Sequence, residues 1–489
     1  MSRYDLLVRG GTLVVPYVGT LRADLATKNG RVAAIADAIP TSDATTVLDA
    51  TGKLVFPGAI DAHFHLGIYR PLAVDAAEET RSSLVGGATT VLSYFRTGQH
   101  YLNKTGPYAT ILPEVLESVA GHAWTDYGFH LAPMDTAQVH EIPALVREHG
   151  ISSFKHYMFY KGFNLSADSR DAKAFTMSED YDLGHLYQIM EAVAAADRET
   201  GRRVSLSLHC EQAELMRLFI ERVRAAGDPQ TLRAYSDARP PLTERVAIGE
   251  ATTLARATGC PVNLLHLSSS EALAAAREAR ASMPGTDIRL EVTLHHLCLT
   301  HQELDARSDL GSHSRLGGKV NPPIRGADDT AALWDGILDG TIDWVASDHA
   351  CCMEQEKGDE LWPALPGFGG TALLYPILIS EGMHKRNLSP ARIAELASAN
   401  PARAYGLDGR KGNLLVGYDA DLAIVDPGLE QEVTTELLLS GQDHCPFEGR
   451  KVRGWPVATV LRGQIAYQNG AVTGVPQGAF IDPGTGQEQ

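Results

Sequence analysis

Between residues 59 and 347 the chain repeats one pattern: a short run that is apolar on both faces, then a longer amphipathic stretch. The short runs are AIDAHFH (59–65), TTVLSYF (89–95), YGFHLAP (127–133) and SSFKHYM (152–158), followed by RVSLSLH (203–209), PVNLLHL (261–267), IRLEVT (288–293) and IDWVAS (342–347). The stretches between them, such as LGHLYQIMEAVAAADRETG and SSEALAAAREARASM, carry the three-to-four spacing of helices. A strand that is apolar on both sides is buried on both sides, as it is between a barrel lumen and a ring of helices. Eight such strands with helices between them predict a parallel α/β fold, a (β/α)8 TIM-like barrel.

The two ends read differently. YDLLVRGGTLVVP, ADLATKNGRVAAIA and TTVLDATGKLVF near the start, and GYDADLAIVDP and RKVRGWPVATVLRGQIAYQNG near the finish, are strands broken by Gly-Gly and Asn-Gly turn signals. Neither end has enough strands to close on itself, so the two together are expected to form a small β-sandwich domain. The predicted organisation is 1–55 and 406–473 as the two parts of that sandwich, 56–405 as the barrel, and 474–489 as a tail suited to packing on a neighbouring subunit. SPARIAELASANPARAYGL (389–407) is the helical return from barrel to sandwich.

Composition narrows the class. At 489 residues, 44 % hydrophobic and 21 % charged, the chain is ordinary globular material with ample core. Sixty acidic against 43 basic residues give a net charge of −17, which excludes a general nucleic-acid binder. Six scattered cysteines without a CxxC pair form neither a disulfide framework nor a cysteine zinc module, and reduced thiols fit a cytoplasmic protein. Asp5 and Arg9 interrupt the apolar core a signal peptide would need, and no run approaches the roughly 20 apolar residues of a membrane span. No membrane and no nucleic-acid partner is therefore expected.

The chemistry sits at the carboxyl ends of the predicted strands. His63 and His65 alternate on one strand, so their imidazoles share a face about 7 Å apart and can chelate one ion. Such a pair alone also fits two polar loop residues. His209, His266 and Asp348 lie at the ends of three further strands, on the rim where barrel enzymes keep their catalytic groups. Lys155 should point into the same lumen. An ammonium beside two metal ions is disfavoured, whereas a neutral amine can take up CO₂ to give an anionic bridging carbamate.

PGAIDAHFHLG, the lysine in SSFKHYMFYKG, SLHCEQAE, NLLHLSSSEAL and VASDHACC together resemble the amidohydrolase superfamily, and within it the cyclic-amidase branch of dihydropyrimidinases (hydantoinases), allantoinases and dihydroorotases. The resemblance spans about residues 5 to 470. It implies a first divalent ion on His63, His65 and Asp348, a second on His209 and His266, carboxylated Lys155 bridging them, and a hydroxide between them. Zinc is the metal implied, with manganese or cobalt as substitutes. Asp348 would be the general base and then the acid, and Tyr160 would hold the developing oxyanion.

The ring is less defined. Dihydroorotases carry an arginine two residues after the second histidine, where this chain has Gly67; Arg70 could stand in only if its loop curls back. EVTLHHLCLT, GKVNPPIR and CPFEGRKVRG nevertheless have dihydroorotase- or allantoinase-like wording. Asn321 and the backbone near Gly367 are candidates for binding the ring amide, with Thr293 and His295 as further lining residues. His349 is expected either to orient Asp348 or to pack behind it, and Cys351-Cys352 to lie near the rim. The implied protein is a dihydropyrimidinase- or hydantoinase-like hydrolase of a small cyclic amide, with allantoinase or dihydroorotase activity as the alternative, assembled as a homo-oligomer (tetramer or dimer). A non-catalytic scaffold of this fold would have lost metal ligands, and all six are present here.

Overall fold

A computed structural model describes residues 2–98, 101–160, 181–307 and 316–482. The first strands are β1 (Tyr4–Val15), β2 (Gly19–Lys28), β3 (Arg31–Ala36), β4 (Ala44–Asp49) and β5 (Leu54–Pro57). The Asn29-Gly30 pair joining β2 to β3 has positive φ at both residues (50° and 78°), which the two-residue turn of a twisted hairpin requires.

The barrel strands follow as β6 (Ala59–His65), β7 (Ala88–Arg96), β8 (Asp126–Ala132), β9 (Ser153–Tyr157), β10 (Ser205–His209), β11 (Val262–Leu264), β12 (Ile288–Thr293) and β13 (Trp344–Ala346). All eight expected runs form strands, each parallel to its neighbours. Two residues beyond β13 the chain resumes as β14 (His349–Ala350), which pairs with β6 through His349↔Phe64 and Ala350↔His65. The eighth strand is thus split: one half bonds the seventh strand, the other bonds the first, and the ring closes through the break. At the break, Ser347 donates its backbone N–H (3.0 Å) and its hydroxyl (2.5 Å) to the buried carboxylate of Asp61.

The chain then returns to the first sheet as β15 (Leu422–Glu432), β16 (Lys451–Leu461), β17 (Gln464–Gln468) and β18 (Ala471–Val472). Strand order is β18-β17-β16-β15-β5-β1-β2-β3, with β4 beside β1, so β15 against β5 joins the two chain ends. Leu6, Leu25, Val55, Ile424 and Val460 belong to a core that this sheet encloses for itself. Within 389–407, residues Pro390–Ala404 are helical, in three consecutive pieces.

A buried charge network rivets the two units. Lys411 Nζ lies 2.6 Å from Asp126 at the start of β8 and 2.5 Å and 3.1 Å from Asp421 and Asp419. The tail docks beside it on its own barrel. Gly478 donates to Ala123 O, Tyr127 to Ala479 O and Ile481 to Tyr127 O, at 2.8–3.0 Å. As far as residue 482, then, the tail covers the amino-terminal end of its own strands; 483–489 lie outside the described residues.

Removing the ammonium would leave buried Asp421 without its cation, while Asp126 and Asp419 would keep only Arg462 and Arg410. Lys411→Met is expected to cost about 3–5 kcal/mol of stability, the range for breaking a buried ion pair. Urea unfolding followed by circular dichroism measures it, and a midpoint equal to that of the parent would remove the rivet role.

Candidate metal centre and substrate pocket

The carboxyl ends of the barrel strands converge on one cavity of about 100 Å³. His63, His65, Lys155, His209, His266 and Asp348 all line it, as do Tyr160, Asn321 and Gly367. A larger depression, about 480 Å³, lies at the opposite end among the strand beginnings, where its arginines are spoken for: Arg280 by Asp343 and Arg289 by Asp287.

His63 and His65 alternate along β6, and both present Nε2 to the same oxygen, Asp348 Oδ1, at 3.0 Å and 3.1 Å. The ligand atoms of these three residues lie within 4.8 Å of one another. Asp348 reaches them because the split eighth strand turns there through a left-handed backbone (φ 52°). His266, just past β11, is strained in the same sense (φ 36°). A non-glycine residue holds such a conformation only where its surroundings impose it.

Electrostatically this end of the barrel calls for positive charge. Burial disfavours a charged His63, but the carboxylates of Asp348 and Glu291 overcome it and push the imidazole up to about 9. Burial would also raise Asp348, yet His63 and His65 hold it well below the usual carboxylate range. His65 and His209 are pulled down to about 4, chiefly by burial. Lys155, on β9, is completely buried, and burial draws its ammonium down to about 7. Its Nζ lies 4.3 Å and 4.7 Å from the ring centres of Tyr94 and Tyr157 and has no hydrogen-bond partner among the described residues. His266 Nδ1 is likewise buried without a partner. Buried polar atoms are nearly always satisfied, so two orphans among converging imidazoles fit a site built around cations.

The imidazoles are aimed by carboxylates beneath them. Glu291, on β12, accepts from His63 Nδ1 at 2.6 Å and from the backbone N–H of His266 at 3.2 Å, and Trp344 fixes its other oxygen at 2.8 Å. Glu211 bonds His209 Nε2 at 2.6 Å and is itself held by two guanidinium nitrogens of Arg239, at 2.9 Å and 2.5 Å. Tyr101 completes the set, its hydroxyl 3.2 Å from His65 Nδ1. Sequence reading missed all three. Glu211, two residues after His209, was the one with a signal, because a carboxylate is the usual partner for a ligand histidine's second nitrogen.

The pocket walls are aromatic. Tyr160 follows β9 in the turn Met158–Tyr160 and stacks on Tyr157 at 4.6 Å, while Arg96 hydrogen-bonds it from behind. Asn321 Oδ1 takes a 2.5 Å hydrogen bond from Tyr235, which leaves its amide NH₂ and backbone for other partners. Gly67 has φ 78°, where a side chain is strained, and a Cβ there would press on Leu72 at 3.1 Å, so this backbone disfavours any other residue. Arg70 does not curl into the cavity; it pairs with Glu78 and Glu79 and touches Cys351 Sγ. Among the described residues no arginine lines the cavity.

Thr293 and His295 also stay outside. The Thr293 hydroxyl bonds both His295 (2.8 Å) and His296 (2.7 Å), and His296 reaches Pro322 O, so they buttress the segment that carries Asn321. His349 packs behind Asp348, stacked on Phe64 and bonded to Glu79 at 2.8 Å. Cys351 and Cys352 are fully buried.

With this geometry in place, comparison with known proteins is informative. Residues 54–466 match the family described as "Amidohydrolase family". The chain is 31 % identical to an allantoinase of Rubrobacter xylanophilus over 99 % of its length and 98 % of that protein's. It is 27 % identical to a D-hydantoinase of Ralstonia pickettii, covering 98 % of each. A crystal structure of a D-hydantoinase superposes with a TM-score of 0.85 at 26 % identity, over 97 % of this chain and 98 % of that one.

Glu291 touches both histidine groups, so its amide should loosen both. Glu291→Gln is expected to weaken divalent-ion affinity by about 10- to 100-fold, the usual effect of losing such a partner. Metal content after equilibration with graded chelator reads this directly, and parental affinity would show that His63 is aimed by other means.

Proposed function

The chain belongs to the amidohydrolase family, and from that premise we propose that it is a metal-dependent hydrolase opening the cyclic amide of a hydantoin- or dihydropyrimidine-like ring. One observation carries this reading: three ligand-type residues from the split closing strand and the first strand share a single cavity with Lys155, His209 and His266.

His63, His65 and Asp348 would hold one divalent ion and His209 and His266 a second, with Lys155 between them as its CO₂-derived carbamate. Zinc suits this set of imidazoles and carboxylates. When bound, two such ions lower the pKa of a water and polarise the amide carbonyl. Asp348 accepts the proton of the attacking water at its carboxylate and passes it to the ring nitrogen as the C–N bond breaks. Tyr160 donates its hydroxyl to the oxygen on which negative charge develops. Asn321 and the backbone at Gly367 hold the ring's amide edge. A cavity of about 100 Å³ suits one small ring, well below the roughly 300 Å³ at which pockets for larger ligands begin.

A second reading, allantoinase, is favoured by the relative from Rubrobacter xylanophilus; allantoin is itself a hydantoin bearing a ureido group. Dihydroorotate fits less well, because the backbone at Gly67 disfavours a side chain and Arg70 is engaged elsewhere. We further propose a cytoplasmic homo-oligomer, tetramer or dimer. Six buried cysteines, none in a disulfide, support a reducing compartment. The net charge of −17 is consistent with a small-molecule rather than a nucleic-acid partner, and among the described residues no helix is long and apolar enough to cross a membrane.

Metal- and bicarbonate-supplemented enzyme should open hydantoin, dihydrouracil or allantoin far faster than dihydroorotate when all are supplied at one concentration. Preference for dihydroorotate would overturn the substrate reading, and silence on all four with two ions bound would remove cyclic imides altogether. In the same assay Tyr160→Phe should lose about 10²–10³-fold in turnover, the cost of one oxyanion donor. Its metal content should not change; parental turnover would deny Tyr160 that role.

A further inference from the structure

Two lysines that no step above uses are completely buried beside the cavity, and both are solvated by backbone carbonyls. Lys357 ends the short helix Glu354–Lys357 and donates to Lys319 O (3.1 Å), Leu365 O (2.9 Å) and Gly367 O (2.5 Å). Lys319 donates to Leu361 O (2.9 Å), Trp362 O (3.0 Å) and Ala364 O (2.6 Å). The two cages interlock, because Gly367 N–H donates to Lys319 O at 2.9 Å.

Their position gives them meaning. Val320-Asn321 and Pro366-Gly367 line the cavity from two separate segments, each directly adjoining or including a caged carbonyl residue. Lys357 Nζ bonds both segments at once, through Lys319 O on one and Leu365 O and Gly367 O on the other. Lys319 Nζ also lies 4.8 Å from the ring of Tyr235, whose hydroxyl fixes Asn321. Buried loop carbonyls need donors, and these lie outside any helix or strand. An ammonium supplies three donors from one point and has no acceptor to satisfy, which suits three converging carbonyls better than a planar guanidinium.

We propose that Lys357, with Lys319, is a positioning residue that sets the width and shape of the ring-binding wall by stapling segment 319–321 to segment 364–367. The inference rests on the cavity being the substrate pocket. Neither lysine touches the ligand set, so the staple acts on ring binding and leaves the metal centre intact. Loss of binding shared by ground and transition states raises KM with kcat unchanged.

The test uses the full-length, metal-loaded enzyme and the ring among hydantoin, dihydrouracil and allantoin that the parent opens fastest. Lys357→Met and Lys319→Met should each raise KM about ten-fold or more, hold kcat within about three-fold, and keep the parental metal content. Hydrogen exchange followed by mass spectrometry should show the amides of Ala364, Leu365, Gly367 and Phe368 exchanging faster in both variants. Parental KM in both, or loss of kcat and metal at unchanged KM, would overturn the proposal. The wild-type enzyme decides the matter even if neither variant folds, because the Gly367 amide must exchange far more slowly than a free loop amide; exchange at the free rate would sink the staple. Parent enzyme inert on every ring, with the amides of Ala364, Leu365, Gly367 and Phe368 protected in the parent and released in the variants, would instead refute the substrate reading and leave the staple standing.

Discussion

Everything at the carboxyl end of the barrel depends on one buried carboxylate, Asp348, held 3.0 Å and 3.1 Å from two imidazoles on the wall of the cavity. Burying a charge is costly unless it is paired, so the pocket is arranged to supply positive charge at that point. The carboxylate can stand there because the eighth strand breaks at it. Ser347, clamped on Asp61, fixes the backbone just before the break, and β14 pairing with β6 fixes it just after. Barrel closure and the position of Asp348 are one structural event. Asp61, one turn of the pleat below His63, is therefore as necessary to the site as the residues that line it.

A second layer converts proximity into aim. Glu291 spans the His63 and His266 groups, Glu211 orients His209, and Arg239 holds Glu211 ionised against its burial. Imidazole orientation is set by whichever acceptor its far nitrogen finds, so these buried glutamates decide which nitrogens face the cavity. The order of support runs inward, from tryptophan and arginine to glutamate to histidine. Only the innermost layer carries the spacing that sequence inspection recognises.

The walls work by exclusion as much as by contact. The left-handed backbone at Gly67 against Leu72 removes the position from which a cation could reach a substrate carboxylate, and Arg70 is committed to Glu78 and Glu79. What remains is a small chamber with aromatic walls, whose side at Asn321 and Gly367 is braced by buried ammonium groups. Such a chamber discriminates by shape and by unsatisfied hydrogen bonds, and a ring that lacks the amide edge would leave the wall's polar groups unpaired.

The sequence by itself determined the strand-and-helix order of the barrel, the joining of the two ends in one small β-domain, and the residues that converge at the rim. Those are set by local periodicity, by Asn-Gly turns such as Asn29-Gly30, and by the placing of His63, His65, Lys155 and His209 on their strands. It left the supporting carboxylates unread: Glu211 stands two residues after His209, a spacing that could have marked it, whereas Glu291 on its strand has no local feature separating it from an ordinary buried acid. It also placed Thr293 and His295 on the pocket wall, whereas they bond to one another one layer behind it, and it assigned the tail to a neighbour although residues 478–482 dock on β8. The break of the eighth strand, the left-handed turns at His266 and Asp348 and the carbonyl cages around Lys319 and Lys357 were decided only by tertiary structure. Each arises where backbone groups distant in sequence compete for partners in a space that water cannot enter, a condition that exists only once the barrel has closed.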